Sequence, residues 1–190
     1  MRIASEKAAA AAAGPSVREQ EMQSLNALLV PKGMKVYEIA ADGHCMFRAI
    51  EDQIKYLDLS NSNQFLGRNM SFLDLRSSVA KQLRSHSEKY SPFWDCSELE
   101  HNDCSDCSDR DKFLKYCDEI EKTAKWGGHL ELQALADAMS HRIEVYSADM
   151  PILSFGPDGR EESADGPPIV LCYLKYAYGL GEHYNSIRNL

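Results

Sequence analysis

Cys45 closes the run Asp42-Gly43-His44-Cys45 and precedes Met46–Leu57, which reads as a helix with Cys45, Ala49, Ile50 and Ile54 on one side. A cysteine at a helix N-terminus sits where unpaired N–H groups favour negative charge, and the thiolate is the nucleophilic form. Gly43 allows a tight turn, and the N–H groups of Gly43, His44 and Cys45 can face the oxyanion of a tetrahedral intermediate. On spacing alone, a cysteine packed at the base of a helix is as good a reading.

A nucleophile needs a base. The histidines are His44, His86, His101, His129, His141 and His183. His183 lies in Gly179-Leu180-Gly181-Glu182-His183-Tyr184-Asn185, a glycine-rich turn entering a strand. Residues two apart on a strand face the same side, so the Asn185 side-chain oxygen can orient the imidazole. Cys, His and Asn in that relation make a papain-type constellation. A surface hairpin with an incidental histidine is the competing reading.

The elements that must bring Cys45 and His183 together follow from the hydrophobic period. Val17–Leu29 carries Met22, Leu25, Leu28 and Leu29 at helical spacing, and Ser16 with Glu19 has capping-box spacing. Met34–Ile39 reads as a short strand. Helices are expected over Cys45–Leu57, Ser71–Tyr90, Lys112–Lys125 and Leu130–Met139. Arg76, Lys81, Arg84 and Lys89 read as the solvated face of the second of these. The C-terminal half changes period: Arg142–Tyr146, Ile152–Phe155, Ile169–Leu174 and His183–Ile187 are β-branched or aromatic runs bounded by Gly, Pro and Asp. The fold class is α+β, with a small, mostly C-terminal sheet flanked by helices. Residues 1–33 read as an alanine-rich tail and helix, and 34–190 as one domain.

Composition narrows the function. With 190 residues and 44% apolar side chains, the chain can bury a core. A net charge of −8 argues against a nucleic-acid binder, which needs clustered Lys and Arg. No apolar run approaches the roughly 20 residues that span a bilayer, so no membrane partner is expected. The Ala8–Ala13 run is too weakly hydrophobic for a secretory segment. Cytoplasm, with the nucleus as a second compartment, is the expected location, and a reducing compartment argues against disulfides among the six cysteines. Cys96, His101, Cys104 and Cys107 include one C-x2-C pair but no second. The expectation there is a variable acidic loop with exposed thiols, and no metal.

Three segments together resemble a known family. Tyr37–Ile50, around Asp42-Gly43-His44-Cys45-Met46-Phe47-Arg48, looks like the cysteine motif of ovarian-tumour (OTU) deubiquitinases. Trp126-Gly127-Gly128-His129-Leu130-Glu131-Leu132 resembles that family's central motif, and Tyr178–Ser186 its histidine motif. They stand in the family's order and at its separations. The resemblance implies a papain-like OTU fold and thiol-dependent hydrolysis of the isopeptide bond between the C-terminal glycine of ubiquitin and a lysine. Its partners would be ubiquitin, polyubiquitin and ubiquitinated proteins, with no cofactor and a monomeric chain. It makes Cys45 the nucleophile and His183 the base. Asp42 and Asn185 match its acidic and orienting positions, and which of them orients His183 stays open. Gly43 and His44 belong to the oxyanion loop. Trp126, Gly127, Gly128, Glu182 and Tyr184 fall to substrate binding, the two glycines suiting a channel for a thin Gly-Gly tail. Trp126 as a core residue is an equal reading. A latent ubiquitin-binding module is the alternative function.

Overall fold

The computed structural model describes residues 14–60, 70–95, 97, 99, 107–157, 166–178 and 181–190. Helix α1 (Val17–Leu29) begins as its capping box requires: Ser16 Oγ accepts the Glu19 N–H at 3.3 Å, and Glu19 Oε2 accepts the Ser16 N–H at 2.7 Å. Strand β1 (Met34–Tyr37) follows, then α2 (Cys45–Ser60), α3 (Phe72–Ser85) and a single turn, α4 (Ser87–Tyr90). Helices α5 (Asp109–Lys122) and α6 (His129–Met139) lead to β2 (Ile143–Tyr146), β3 (Leu153–Phe155), β4 (Ile169–Tyr178) and β5 (Gly181–Asn189).

Two elements differ from expectation for local reasons. The expected helix over Ser71–Tyr90 breaks at His86, which leaves helical geometry with φ −127° and ψ 42°. The polar run Ser85-His86-Ser87 has weak helix propensity. Helix α5 starts three residues early because Ser108 caps it, accepting the Asp111 N–H at 3.2 Å, and it ends where the Thr123 hydroxyl turns back to Glu119 O at 2.7 Å.

The sheet order is β1-β5-β4-β2-β3, antiparallel except for the parallel pair β2–β4. Strand β5 is therefore paired on both edges, and its neighbours extend it beyond the apolar run visible in sequence. Side chains alternate across β4. Ile169 and Leu171 face the main core, built from α2, α3, α5 and α6, whereas Cys172 and Leu174 face the other way. That second face is covered by Leu25 and Leu29 of α1, both fully buried. Burying each contributes about 1.5–3 kcal/mol. The N-terminal helix is thus docked on the sheet.

Gln53 fixes α2 to the sheet. Its Nε2 donates to Ser186 Oγ at 2.8 Å and to the Ile187 carbonyl, and its Oε1 accepts the Val170 N–H at 2.9 Å. Arg188 pairs with Asp52 at 2.5 Å on the same helix. The helix that starts at Cys45 and the strand that carries His183 are joined by these bonds.

Candidate active site

Cys45 is the first residue of α2, and its N–H donates to the Asp42 carbonyl at 3.2 Å. The His44 N–H donates to Asp42 Oδ1 at 2.9 Å, while Asp42 Oδ2 pairs with Arg48 at 2.8 Å. Two of the three N–H groups expected to face an oxyanion are therefore turned onto Asp42 in this state. The His44 ring accepts from Arg76 Nε at 2.9 Å and packs on Phe72.

The backbone N–H groups of Tyr184 and Met46 act on the Cys45 thiol and favour its charged form. Tyr184 follows His183 directly, so the fold brings the thiol to the strand segment that bears the histidine. His183 is 3% exposed. Its Nε2 lies 3.1 Å from Asn185 Oδ1 and 3.1 Å from the Ile39 carbonyl oxygen. Both neighbours are acceptors, so Nε2 carries the proton and the basic lone pair of the neutral ring is on Nδ1. Asn185 Oδ1 is itself held by the Ile39 N–H at 2.8 Å. Asn185 thus touches His183, whereas Asp42 acts on it only through its charge.

Burial pushes the Cys45 thiol up, against the opposing pull of the Tyr184 and Met46 N–H groups. Burial also pulls the His183 imidazole below its usual range, against the opposing bonds to Asn185 and Ile39. Both directions favour a neutral thiol and a neutral imidazole in the resting state.

A cleft of about 420 Å³ opens at Cys45. One wall is Trp126, Gly127, Gly128 and His129; the other is Tyr173, Lys175, Glu182 and Tyr184. Gly43 also lines it, as do Ser147, Asp149 and Met150. Every residue expected to bind substrate lines this cleft, whereas His183 and Asn185 do not line it and alternate with Tyr184 along β5. Trp126 is half exposed, so it belongs to the cleft wall and not to the core.

The glycines have steric reasons that sequence does not display. A Cβ on Gly43 would overlap the Ala124 carbonyl oxygen and lie 2.9 Å from Ala124 Cβ. One on Gly127 would overlap Met46 Cε and lie 2.9 Å from its sulfur. Gly128 has room for a side chain, and its N–H donates to Glu131 Oε2 at 2.7 Å. Glu131 is buried and also accepts from the Tyr116 hydroxyl at 2.6 Å, so this acid holds the wall besides capping α6.

Two buried charges of the site escape the sequence reading. Arg76 is fully buried, not solvated, and Glu21 of α1 accepts the Lys175 N–H at 2.6 Å and the Tyr176 N–H at 2.9 Å. Each sits on an apolar stripe, Arg76 with Val79, Ala80 and Leu83, and Glu21 with Leu25 and Leu29. A charge at a stripe position is the signal that marks them. Cys107 is disulfide-bonded, which corrects the expectation of reduced, exposed thiols there. Cys96, His101 and Cys104 lie outside the described residues.

A cysteine at a helix start, with a histidine and asparagine paired on an inner strand of the sheet, is the layout of a papain-like cysteine protease. The profile of the OTU-like cysteine proteases matches residues 40–184, and the chain belongs to that family. It is 41% identical over 173 residues to the deubiquitinase OTUD6B of Gallus gallus and 37% identical over 173 residues to that of Homo sapiens. Each alignment covers 91% of this chain, and 51% and 53% of those proteins respectively. It is 30% identical over 188 residues to OTU domain-containing protein 2 of Saccharomyces cerevisiae, covering 99% of this chain and 56% of that one. The chain thus spans about half the length of the curated relatives it matches. The OTUD1 OTU domain shares the fold, with a TM-score of 0.59, 18% identity and coverage of 89% of this chain and 95% of that one. So does the h/ceOTUB1-ubiquitin aldehyde-UBC13~Ub complex, with a TM-score of 0.57, 16% identity and coverage of 82% and 77%.

Proposed function

We propose that this chain is a deubiquitinase that hydrolyses the isopeptide bond between the C-terminal glycine of ubiquitin and a lysine amine. The observation that carries the reading is the cleft, where Cys45 and Tyr184 meet and the His183 that precedes Tyr184 is held by Asn185. Family membership supports it, as do relatives called deubiquitinases and a related fold in complex with ubiquitin aldehyde.

His183 Nδ1 takes the thiol proton as the sulfur attacks the glycine carbonyl, so charge develops in the transition state and not at rest. The negative charge passes from sulfur to the carbonyl oxygen. The Cys45 N–H, whose bond to Asp42 is the longer of the two at 3.2 Å, turns to that oxygen. Protonated His183 gives its proton to the leaving amine, and the C–N bond breaks to leave a thioester. Water, deprotonated by His183, then releases the glycine carboxylate and the thiol. Asn185 keeps the ring in the tautomer each step needs. Trp126, Gly127 and Gly128 face Glu182 and Tyr184 across the cleft and admit a tail without bulky side chains.

The test is covalent labelling with ubiquitin bearing a C-terminal propargylamide, together with cleavage of a panel of diubiquitins. The expected result is one ubiquitin added to the chain, no addition to Cys45→Ala, and cleavage of at least one linkage. Addition that persists in Cys45→Ala defeats the assignment. Binding of ubiquitin with every diubiquitin left intact establishes the latent module instead.

A further inference from the structure

Arg76 spends its charge in an unusual way. The side chain is fully buried on α3, and its four hydrogen bonds go to neutral acceptors. Nε donates to His44 Nδ1 at 2.9 Å, Nη1 to the Ile120 carbonyl at 2.8 Å, and Nη2 to the carbonyls of Gly43 and Lys125, both at 2.8 Å. Its guanidinium also lies 4.3 Å over the Phe47 ring. An arginine that served only to balance charge in the core would face a carboxylate at that distance. This one bonds to the backbone of two loops.

Those loops are the two that meet at the nucleophile. Gly43 and His44 lead into Cys45, and Lys125 leads into Trp126 and the cleft wall. One Nη2 group is shared between their carbonyls, and the loops touch where Gly43 packs on Ala124. The Gly43–His44 peptide is held from both edges, its carbonyl by Arg76 and its N–H by Asp42. A planar peptide cannot rotate without breaking both bonds. The Nε bond adds a further constraint, since an imidazole that accepts at Nδ1 carries its proton on Nε2 and stays neutral beside the guanidinium. Burial and the Arg76 charge together hold His44 below its usual range.

We propose that Arg76 is a positioning residue for the reaction at Cys45: it joins the nucleophile loop to the facing cleft wall so that the two hold one fixed separation. The proposal rests on Cys45 being the nucleophile. Lysine cannot substitute, because one ammonium lacks the planar fork that reaches these acceptors together.

The test uses Arg76→Lys and Arg76→Gln with a ubiquitin C-terminal aminomethylcoumarin amide, and in parallel the pH dependence of Cys45 alkylation by iodoacetamide, which needs no ubiquitin. Near-UV circular dichroism and a melting curve set a temperature at which each variant is folded. For folded Arg76→Lys the expected loss in kcat is about 10- to 100-fold, the cost of a misplaced reacting group, with KM changed far less. For Arg76→Gln the alkylation midpoint also moves to higher pH, as a nearby positive charge is removed. A folded variant with wild-type kcat and an unmoved midpoint overturns the proposal. So does a loss that tracks the unfolded fraction and disappears on cooling. If neither variant folds, His44→Leu removes one acceptor and is expected to lower kcat by about 3- to 10-fold; wild-type kinetics in that folded variant overturn the proposal. A wild-type chain inert toward ubiquitin counts against the deubiquitinase reading, while the alkylation midpoints still report on Arg76.

Discussion

Two buried charges of opposite sign brace the two sides of the cleft, Arg76 on one and Glu21 on the other. On the cysteine side the Arg76 cation collects carbonyl oxygens from separate segments. On the histidine side the Glu21 anion collects two successive N–H groups, those of Lys175 and Tyr176. The difference follows from the backbone. Pairing of β4 with β5 is interrupted between Leu174 and Tyr178, so that stretch presents N–H groups turned away from the ladder and needs an acceptor. The cysteine side consists of loops and a helix end, which present carbonyls and need donors. The histidine side is otherwise a strand paired on both edges, whereas the cysteine side depends on side chains for its shape. Changes in α1 therefore reach the His183 hairpin, and changes in α3 reach the nucleophile.

The strongest way to break this comparison is Glu21→Ala. It leaves two N–H groups without their carboxylate and loosens α1, whose Leu25 and Leu29 cover the outer sheet face. Lost bonds to a charged acceptor cost about 1.5–3 kcal/mol each before cleft water compensates, so a loss of about 2–4 kcal/mol in urea unfolding is expected. If α1 serves the histidine side alone, folded Glu21→Ala hydrolyses ubiquitin amide more slowly but keeps its Cys45 alkylation midpoint. A shift in that midpoint, as expected for Arg76→Gln, would erase the division between the two sides.

Next in size is Asn185→Ala. A hydrogen bond to a ring that becomes charged in the transition state is worth about 1.5–3 kcal/mol, which is roughly 10- to 100-fold in kcat. Asp42→Asn should cost less through His183, because Asp42 does not touch the ring. If Asp42→Asn is the more damaging of the two while its alkylation midpoint stays put, the orienting role moves from Asn185 to Asp42.

Much of this division can be read from the residues themselves. The helix start at Val17, the cysteine at the start of α2, and the period-two pairing of His183 with Asn185 all follow from local rules, and local rules act within a few residues. The residues that fix one element against another do not announce themselves in that way. Gln53 reaches 133 positions to Ser186 and Glu21 reaches 154 to Lys175. Grouped by charge with Lys81, Arg84 and Lys89, Arg76 reads as solvated; its place on the stripe with Val79 and Leu83 is what buries it. The need for glycine at position 43 depends on Ala124, a contact made only when the chain is folded. Register and burial of charge are properties of the assembled sheet and core, so the cleft's wall residues were visible as motifs while their supports were not.

The smallest expected effect concerns pH. Hydrolysis needs His183 neutral, and burial lowers its pKa from 6.5. Activity is therefore full above the folded value and falls only as pH drops through it, placing the acid limb of kcat/KM below 6.5. Asn185→Ala removes a bond that favours the protonated ring, so the limb should move lower still, provided the cavity does not admit water. On the cysteine side the direction is opposite. Burial raises the thiol pKa from 9.0, so iodoacetamide labelling of Cys45 should climb through the alkaline range and show no plateau at neutral pH. A plateau extending to pH 6, with an acid limb above 6.5, would mean that the resting dyad is an ion pair. It would also mean that the N–H groups of Tyr184 and Met46 outweigh desolvation, and that the cysteine side is set by its backbone donors more than by its burial.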